Sequence, residues 1–148
     1  MKEKELLLLS HLRSNARKNL TNISKETGIP ISTIFDKIRK YEGDVIKKFT
    51  SLLDFGKLGY DIRVSVMLKV DKNDRENVGN YLKNHQNVNS VFRINNTYDY
   101  LLECIFRNMQ EVHVFMEQID KFKILEKEQF YILEDLKREA FMTDYLLL

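Results

Sequence analysis

NLTNISKETGIPISTIFDKIRKY, residues 19–41, reads as two short helices around a tight corner. Asn19 places a side-chain oxygen where the free N–H groups of a first helix, Leu20 to Thr27, need an acceptor. Leu20, Ile23 and Ser24 fall on its inner side. Gly28 then supplies the left-handed residue that ends such a helix, and Ile29-Pro30 keeps the chain extended until a second helix starts near Pro30 or Ser32. In that second helix Ile31, Ile34, Ile38 and Tyr41 recur at helical spacing and predict a buried stripe. Ser32, Thr33, Asp36, Lys37 and Lys40 fall on the other side.

The flanking chain reads as support for this pair. From Lys4 to about Asn15, Leu6, Leu7, Leu9 and Leu12 repeat at helical intervals, so a third helix packs behind the other two. After Tyr41, Glu42-Gly43-Asp44 is a turn, and Val45 to Phe49 is a short extended arm leading towards Gly59. Residues 1–44 are therefore expected to form a three-helix, winged/helix-turn-helix domain, with 45–60 as hinge strand and linker.

Residues 61–148 carry a different pattern. Ile62, Val64, Val66, Leu68 and Val70 alternate with Arg63, Ser65, Met67 and Lys69, which predicts a strand with one core face. Asp71 to Asp74 is a turn, and Val78, Tyr81, Leu82 and His85 mark one side of a helix from Asp74 to His85. Val88–Ile94 and Tyr98–Phe106 read as a hairpin around Asn95-Asn96-Thr97, where asparagine tolerates left-handed backbone. Asn108 caps a helix carrying Met109, Val112, Met116 and Ile119, and Ile124 to Leu133 supplies a last strand. Strand, helix, strand, strand, helix, strand is the order of a ferredoxin-like βαββαβ unit, so the fold class is α+β. Its sheet has helices on one face. On the other, Met67, Leu101, Ile105, Phe130 and Ile132 form an apolar set that a second copy of the chain would cover, and the tail 141–148 points the same way.

The totals are those of a water-soluble, cytoplasmic protein: 148 residues, 31% charged, and no apolar run of membrane-spanning or signal-peptide length. Cys104 stands alone and reads as a small buried thiol. His11, His85 and His113 lack metal-ligand spacing, carboxylate pairs such as Glu134-Asp135 read as strand-end charges, and no glycine-rich phosphate loop occurs, so no cofactor is expected. Charge is unevenly spread. Residues 1–50 hold 11 Lys+Arg against 6 Asp+Glu, and the remainder 13 against 16. A basic helix-turn-helix half suits double-stranded DNA: Ser32, Thr33, Asp36 and Lys37 face bases, while Arg17, Lys18 and Lys40 face phosphates.

Arg17, Leu20, Ile23-Ser24, Gly28-Ile29, Ser32, Lys37-Ile38-Arg39, Glu42, Val45-Ile46, Phe49, Leu53-Asp54 and Leu58-Gly59 stand in an order and spacing that resembles the Lrp/AsnC ("feast/famine") regulators over nearly the whole chain. The resemblance implies a homodimeric or octameric transcription regulator. It also implies tuning by an amino acid bound near the loop between the second and third strands, here Asn95, Asn96, Thr97, Tyr98 and Asp99. Tyr98-Asp99 matches the end of the family's loop motif. The glycine usual before it is replaced by Asn96 and Thr97, whose side chains occupy space the backbone-like end of an amino acid would need. The turn after Tyr41 is one residue shorter than usual, and Lys2-Glu3-Lys4-Glu5 stands where the family has an aspartate-rich opening. Two other readings share this layout. One is an enzyme resembling the sirohaem decarboxylases, which would need histidines and arginines around a large pocket. The other is an effector-sensing partner subunit with a degenerate helix-turn-helix.

Overall fold

The structure, a computed structural model, describes residues 2–145. Its elements run α1 (Glu3–Ser14), α2 (Leu20–Thr27), α3 (Ile31–Tyr41), a 3₁₀ turn (Phe55–Leu58), β1 (Ile62–Val70), α4 (Arg75–Asn84), β2 (Val88–Arg93), β3 (Tyr100–Phe106), α5 (Met109–Ile119) and β4 (Ile124–Tyr131). Two compact units result, one from residues 2–52 with 136–145, the other from residues 53–135.

In the helical unit the local chemistry acts where the sequence places it. Asn19 Oδ1 accepts from the Asn22 N–H at 2.8 Å and starts α2. Gly28 ends it at φ 72°, its N–H donating to the Ser24 carbonyl at 2.8 Å. Leu8, Leu9, Ile23, Ile29, Ile34 and Tyr41 form the core, with Leu12, Leu20, Ile38 and Ile46 packed around them. Ile31 is not in it: at the first position of α3 it is 46% exposed, and Ile29 in the preceding turn fills that place. After α3, Glu42 and Ile46 form a single parallel bridge, and the chain runs on without strand pairing.

Two polar ties hold this unit. Glu5 Oε1 accepts from Lys37 Nζ at 2.9 Å, and Glu5 Oε2 from the Lys2 N–H at 3.0 Å, which fastens α1 to α3. The Lys37 bond, then the Lys2 bond, lower the Glu5 carboxyl to about 2. The tail provides the second tie. Residues 136–145 were expected in the sheet domain; instead Met142 packs on the helical core, Arg13 Nε donates to the Phe141 carbonyl at 3.1 Å, and Tyr145 stacks on the buried His11 with ring centres 3.9 Å apart. Burial of Met142 on the helical core and the ring contact of Tyr145 with His11 place the tail there. Leu146–Leu148, read with the apolar tail, lie outside the described residues.

The sheet order is β2-β3-β1-β4, all antiparallel. Val64, Val66, Leu68 and Val70 project from β1 into a core completed by Leu102, Cys104, Phe106, Val78, Leu82, Val112, Phe115 and Ile119. On the opposite face Met67, Leu101 and Ile132 are half-buried, Phe92 and Phe130 are exposed, and Ile105 is already covered at 8% exposure. The β2–β3 connection is longer than a tight turn. Tyr98 and Asp99 precede β3, which starts at Tyr100, yet Asp99 stays bonded to both neighbours: its carbonyl accepts from the Ile94 N–H at 3.0 Å, its N–H donates to the Leu68 carbonyl and its Oδ2 accepts from the Val70 N–H, both at 2.8 Å. Asn96 takes the left-handed turn at φ 68°. Likewise β4 stops at Tyr131, although the Ile132 N–H still donates to the Arg63 carbonyl at 2.9 Å. Among the described residues no helix is long and apolar enough to cross a membrane.

One close approach constrains α4. A Cβ at Gly79 would lie 2.6 Å from the Tyr100 hydroxyl, which donates to the Arg75 carbonyl at 2.7 Å. Gly79→Ala is expected to destabilise the sheet unit by about 1–3 kcal/mol, as overpacking does, measured by urea unfolding. Glu5→Gln tests the α1–α3 tie. Because folding lowers the Glu5 pKa, its stabilisation is complete above the unfolded value of about 4.3 and fades as pH falls through about 2. The variant should therefore melt below wild type at pH 7 and converge with it near pH 2.

Candidate nucleic-acid interface and effector loop

The outer side of α3 is built by exclusion. Ile34, Ile38 and Tyr41 turn inwards, and Ser32, Asp36 and Lys40 stay exposed with Thr33 half-buried beside them. Arg17, just before α2, is exposed, its backbone N–H bonded to Asn15 Oδ1 at 3.0 Å. These five expected residues present free faces. The other two do not.

Lys37 spends its charge on Glu5. Lys18 is bound into a cluster: its Nζ donates to His11 Nδ1 at 3.0 Å and to Glu26, and lies 5.5 Å from the centre of the Tyr145 ring. A lysine donor at Nδ1 puts the imidazole proton on Nε2. Burial first, then Lys18, lowers the His11 pKa against the opposing pull of Glu26, so the ring is neutral at pH 7. Helical spacing put Lys37 outwards and the basic balance of residues 1–50 offered Lys18 to phosphates, because neither signal registers which carboxylates come within reach.

Helical spacing also missed a feature of the same face. Ile31, Phe35 and Arg39 follow one another at four-residue intervals along α3, and Phe35 is 50% exposed with the Arg39 guanidinium 5.7 Å from its ring centre. The signal was present: Phe35 is an aromatic residue outside the 31, 34, 38, 41 stripe. The result is a ridge that is apolar at one end and cationic at the other, beside the hydrogen-bonding groups of Ser32, Asp36 and Lys40.

In the sheet unit, the loop read as an effector site divides into an anchored and a free part. Asp99 is anchored. Its Oδ2 takes the Val70 N–H and its Oδ1 lies 3.2 Å from Arg75 Nη2, so both carboxylate oxygens are engaged. Tyr98 is half-buried, and its hydroxyl pKa is raised by burial and then by Glu128. Asn95, Asn96 and Thr97 are exposed. The histidines do not gather: His11 is in the helical core, His113 is exposed, and His85 accepts from the Asn87 N–H at Nδ1 and faces Gln118 Oε1 at 3.3 Å. No group of three or more metal-ligating side chains occurs among the described residues. Cys104 is fully buried, its thiol pushed up to about 12 by that burial.

Comparison with known proteins gives this geometry a family. The pattern of the Lrp/AsnC ligand binding domain matches residues 63–140. The HTH-type transcriptional regulator FL11 of Pyrococcus horikoshii is 31% identical over 76% of this chain and 75% of its own length, and the FL11 of Pyrococcus furiosus is 26% identical over 90% and 89%. Among solved structures, LrpC of Bacillus subtilis superimposes with a TM-score of 0.82 at 18% identity, covering 93% of this chain and 97% of that one. A transcriptional regulator of Neisseria meningitidis in complex with L-Met gives 0.83 at 17% identity, covering 93% of each chain. The relatives are regulators rather than enzymes, and the decarboxylase reading falls with them. With its ligand-binding pattern spanning more than half the sequence, the chain belongs to the Lrp/AsnC family of transcriptional regulators.

Proposed function

We propose that the chain acts as a homo-oligomeric, operator-binding regulator in which α3 enters the major groove of double-stranded DNA. The observation that carries this reading is the outer face of α3, where Ser32, Thr33, Asp36 and Lys40 surround the exposed Ile31-Phe35-Arg39 ridge. Hydrogen-bonding side chains reach base edges, and an exposed ring suits a thymine methyl. Arg17, Lys40 and Arg39 meet phosphates, and Lys18 and Lys37 hold the helices in place instead of meeting DNA directly. Residues 1–44 serve as the DNA-binding part, 45–60 as hinge, and the sheet unit as the effector and assembly part.

The apolar side of the sheet, with Phe92 and Phe130 exposed, supports a homodimer through that face, and octamers would assemble from such dimers. Two recognition helices related by a two-fold axis then address half-sites about one helical turn apart. The loop Asn95–Thr97 is the place for a small effector. The L-Met complex of the Neisseria relative favours an amino acid, and here Asn96 and Thr97 side chains would shape the selection. Asp99 would act by holding the loop in position, since its oxygens are already engaged.

Selection of DNA fragments by the full chain near physiological salt, followed by sequencing, tests the reading. A two-fold-symmetric motif is expected, and unselective binding that vanishes with salt would overturn it. On the recovered site, Lys40→Ala should weaken binding to every sequence alike and reduce the slope of log K against log salt by about 1. Phe35→Ala and Thr33→Ala should change base preference by about 1–3 kcal/mol at one position and leave that slope unchanged. A fluorescence titration against matched and mismatched duplexes distinguishes the two behaviours.

A further inference from the structure

A cleft of about 500 Å³ lies between α4 and the β2 edge of the sheet, and none of Asn95, Asn96 and Thr97 lines it. Its floor is Val91 and the Tyr100 ring, reached because Gly79 has no side chain. Around that floor stand Lys72, Arg75, Lys83 and Arg93, with Glu76 as the only carboxylate among the lining residues. Arg75 pairs with Asp99. For Lys72, Lys83 and Arg93 no ion pair with a carboxylate is found among the described residues, and Arg93 sits over the Tyr100 ring at 5.4 Å.

Arg75 and Arg93 have partners in the fold, whereas Lys72 and Lys83 make no ion pair among the described residues. Lys72 and Lys83 are exposed, and with the two arginines they give the cleft an excess of positive charge that attracts an anion. The volume is that of a small-molecule site, with an apolar floor and a few convergent polar groups. The Arg93 guanidinium, 5.4 Å from the centre of the Tyr100 ring, has donors for two-point bonding to an oxyanion. These features specify a ligand with a flat apolar body and a group bearing more than one negative charge.

We propose that the α4–β2 cleft binds a small organic phosphate, its apolar body on Val91 and Tyr100 and its phosphate among Lys72, Lys83 and Arg93. The inference does not rest on the DNA-binding assignment, nor on that of Asn95–Thr97, which do not line the cleft. Arg75 connects it to the loop, since a bound phosphate competes with Asp99 for the same guanidinium.

Isothermal titration of the full chain tests the site with adenosine 5′-monophosphate, inorganic phosphate, citrate and uncharged adenosine. The monophosphate is expected to bind more tightly than inorganic phosphate, which lacks the apolar body, and more tightly than adenosine, which lacks the charge. Lys72→Gln with Lys83→Gln should weaken it by about tenfold or more, the effect of losing a charged hydrogen bond. Lys121→Gln, an exposed lysine outside the cleft, should leave it unchanged, and circular dichroism should match wild type in both variants. Absence of binding by the monophosphate at millimolar concentration, or equal affinity in the double variant, would overturn the proposal. Citrate binding more tightly than either phosphate would overturn the phosphate assignment in favour of a polycarboxylate.

Discussion

The sheet unit depends on the position of β1 between β3 and β4. Val64, Val66, Leu68 and Val70 all face the helices, and every one of them is paired across one or both neighbouring strands. Side chains alternate with a period of two, so a slip of one residue in either ladder would send all four to the outer face and bring Arg63 and Lys69 into the core. The register is thus fixed by burial. What lies at the strand's end follows from it: the Leu68 carbonyl and Val70 N–H are left where Asp99 meets them, and the loop between β2 and β3 takes its shape from that meeting.

The same economy governs charge in the helical unit. A basic composition in residues 1–50 would suggest a uniform cationic surface, yet Lys37 and Lys18 are spent on Glu5 and Glu26. The pairs are partly exposed, so each contributes modestly to stability. Their larger effect is on arrangement. They hold α3 against α1, and the loop before α2 against α2 itself, and so set the direction in which the remaining free groups of α3 point.

Legibility in the sequence tracked how local the controlling interaction was. The bounds of α2, the left-handed Gly28, the whole of β1 and the Asn108 cap, whose Oδ1 accepts from the Glu111 N–H at 3.0 Å, are decided by neighbours a few residues away, and they could be read. Ile31 misled because helical phase does not say where a helix begins, and Ile29 was available to take its place. The tail misled for a different reason. Met142 and Tyr145 are placed by contacts with residues more than a hundred positions earlier, and nothing in their own neighbourhood announces them. Within the candidate sites, the residue types were legible but their commitments were not, since Lys37, Lys18 and Asp99 are each occupied by a partner that only the fold supplies. The α4–β2 cleft was invisible for the same reason: Lys72, Lys83 and Arg93 belong to three separate stretches of chain.

Cys104 has a consequence beyond filling space. It is the single thiol of the chain, it lies in the middle of β3 at the centre of the sheet core, and burial keeps it protonated far above neutral pH. Only the thiolate attacks alkylating reagents or disulfides. The thiol is therefore silent while the sheet is closed and reactive once it opens, so its labelling rate is a clock for the opening of the sheet unit.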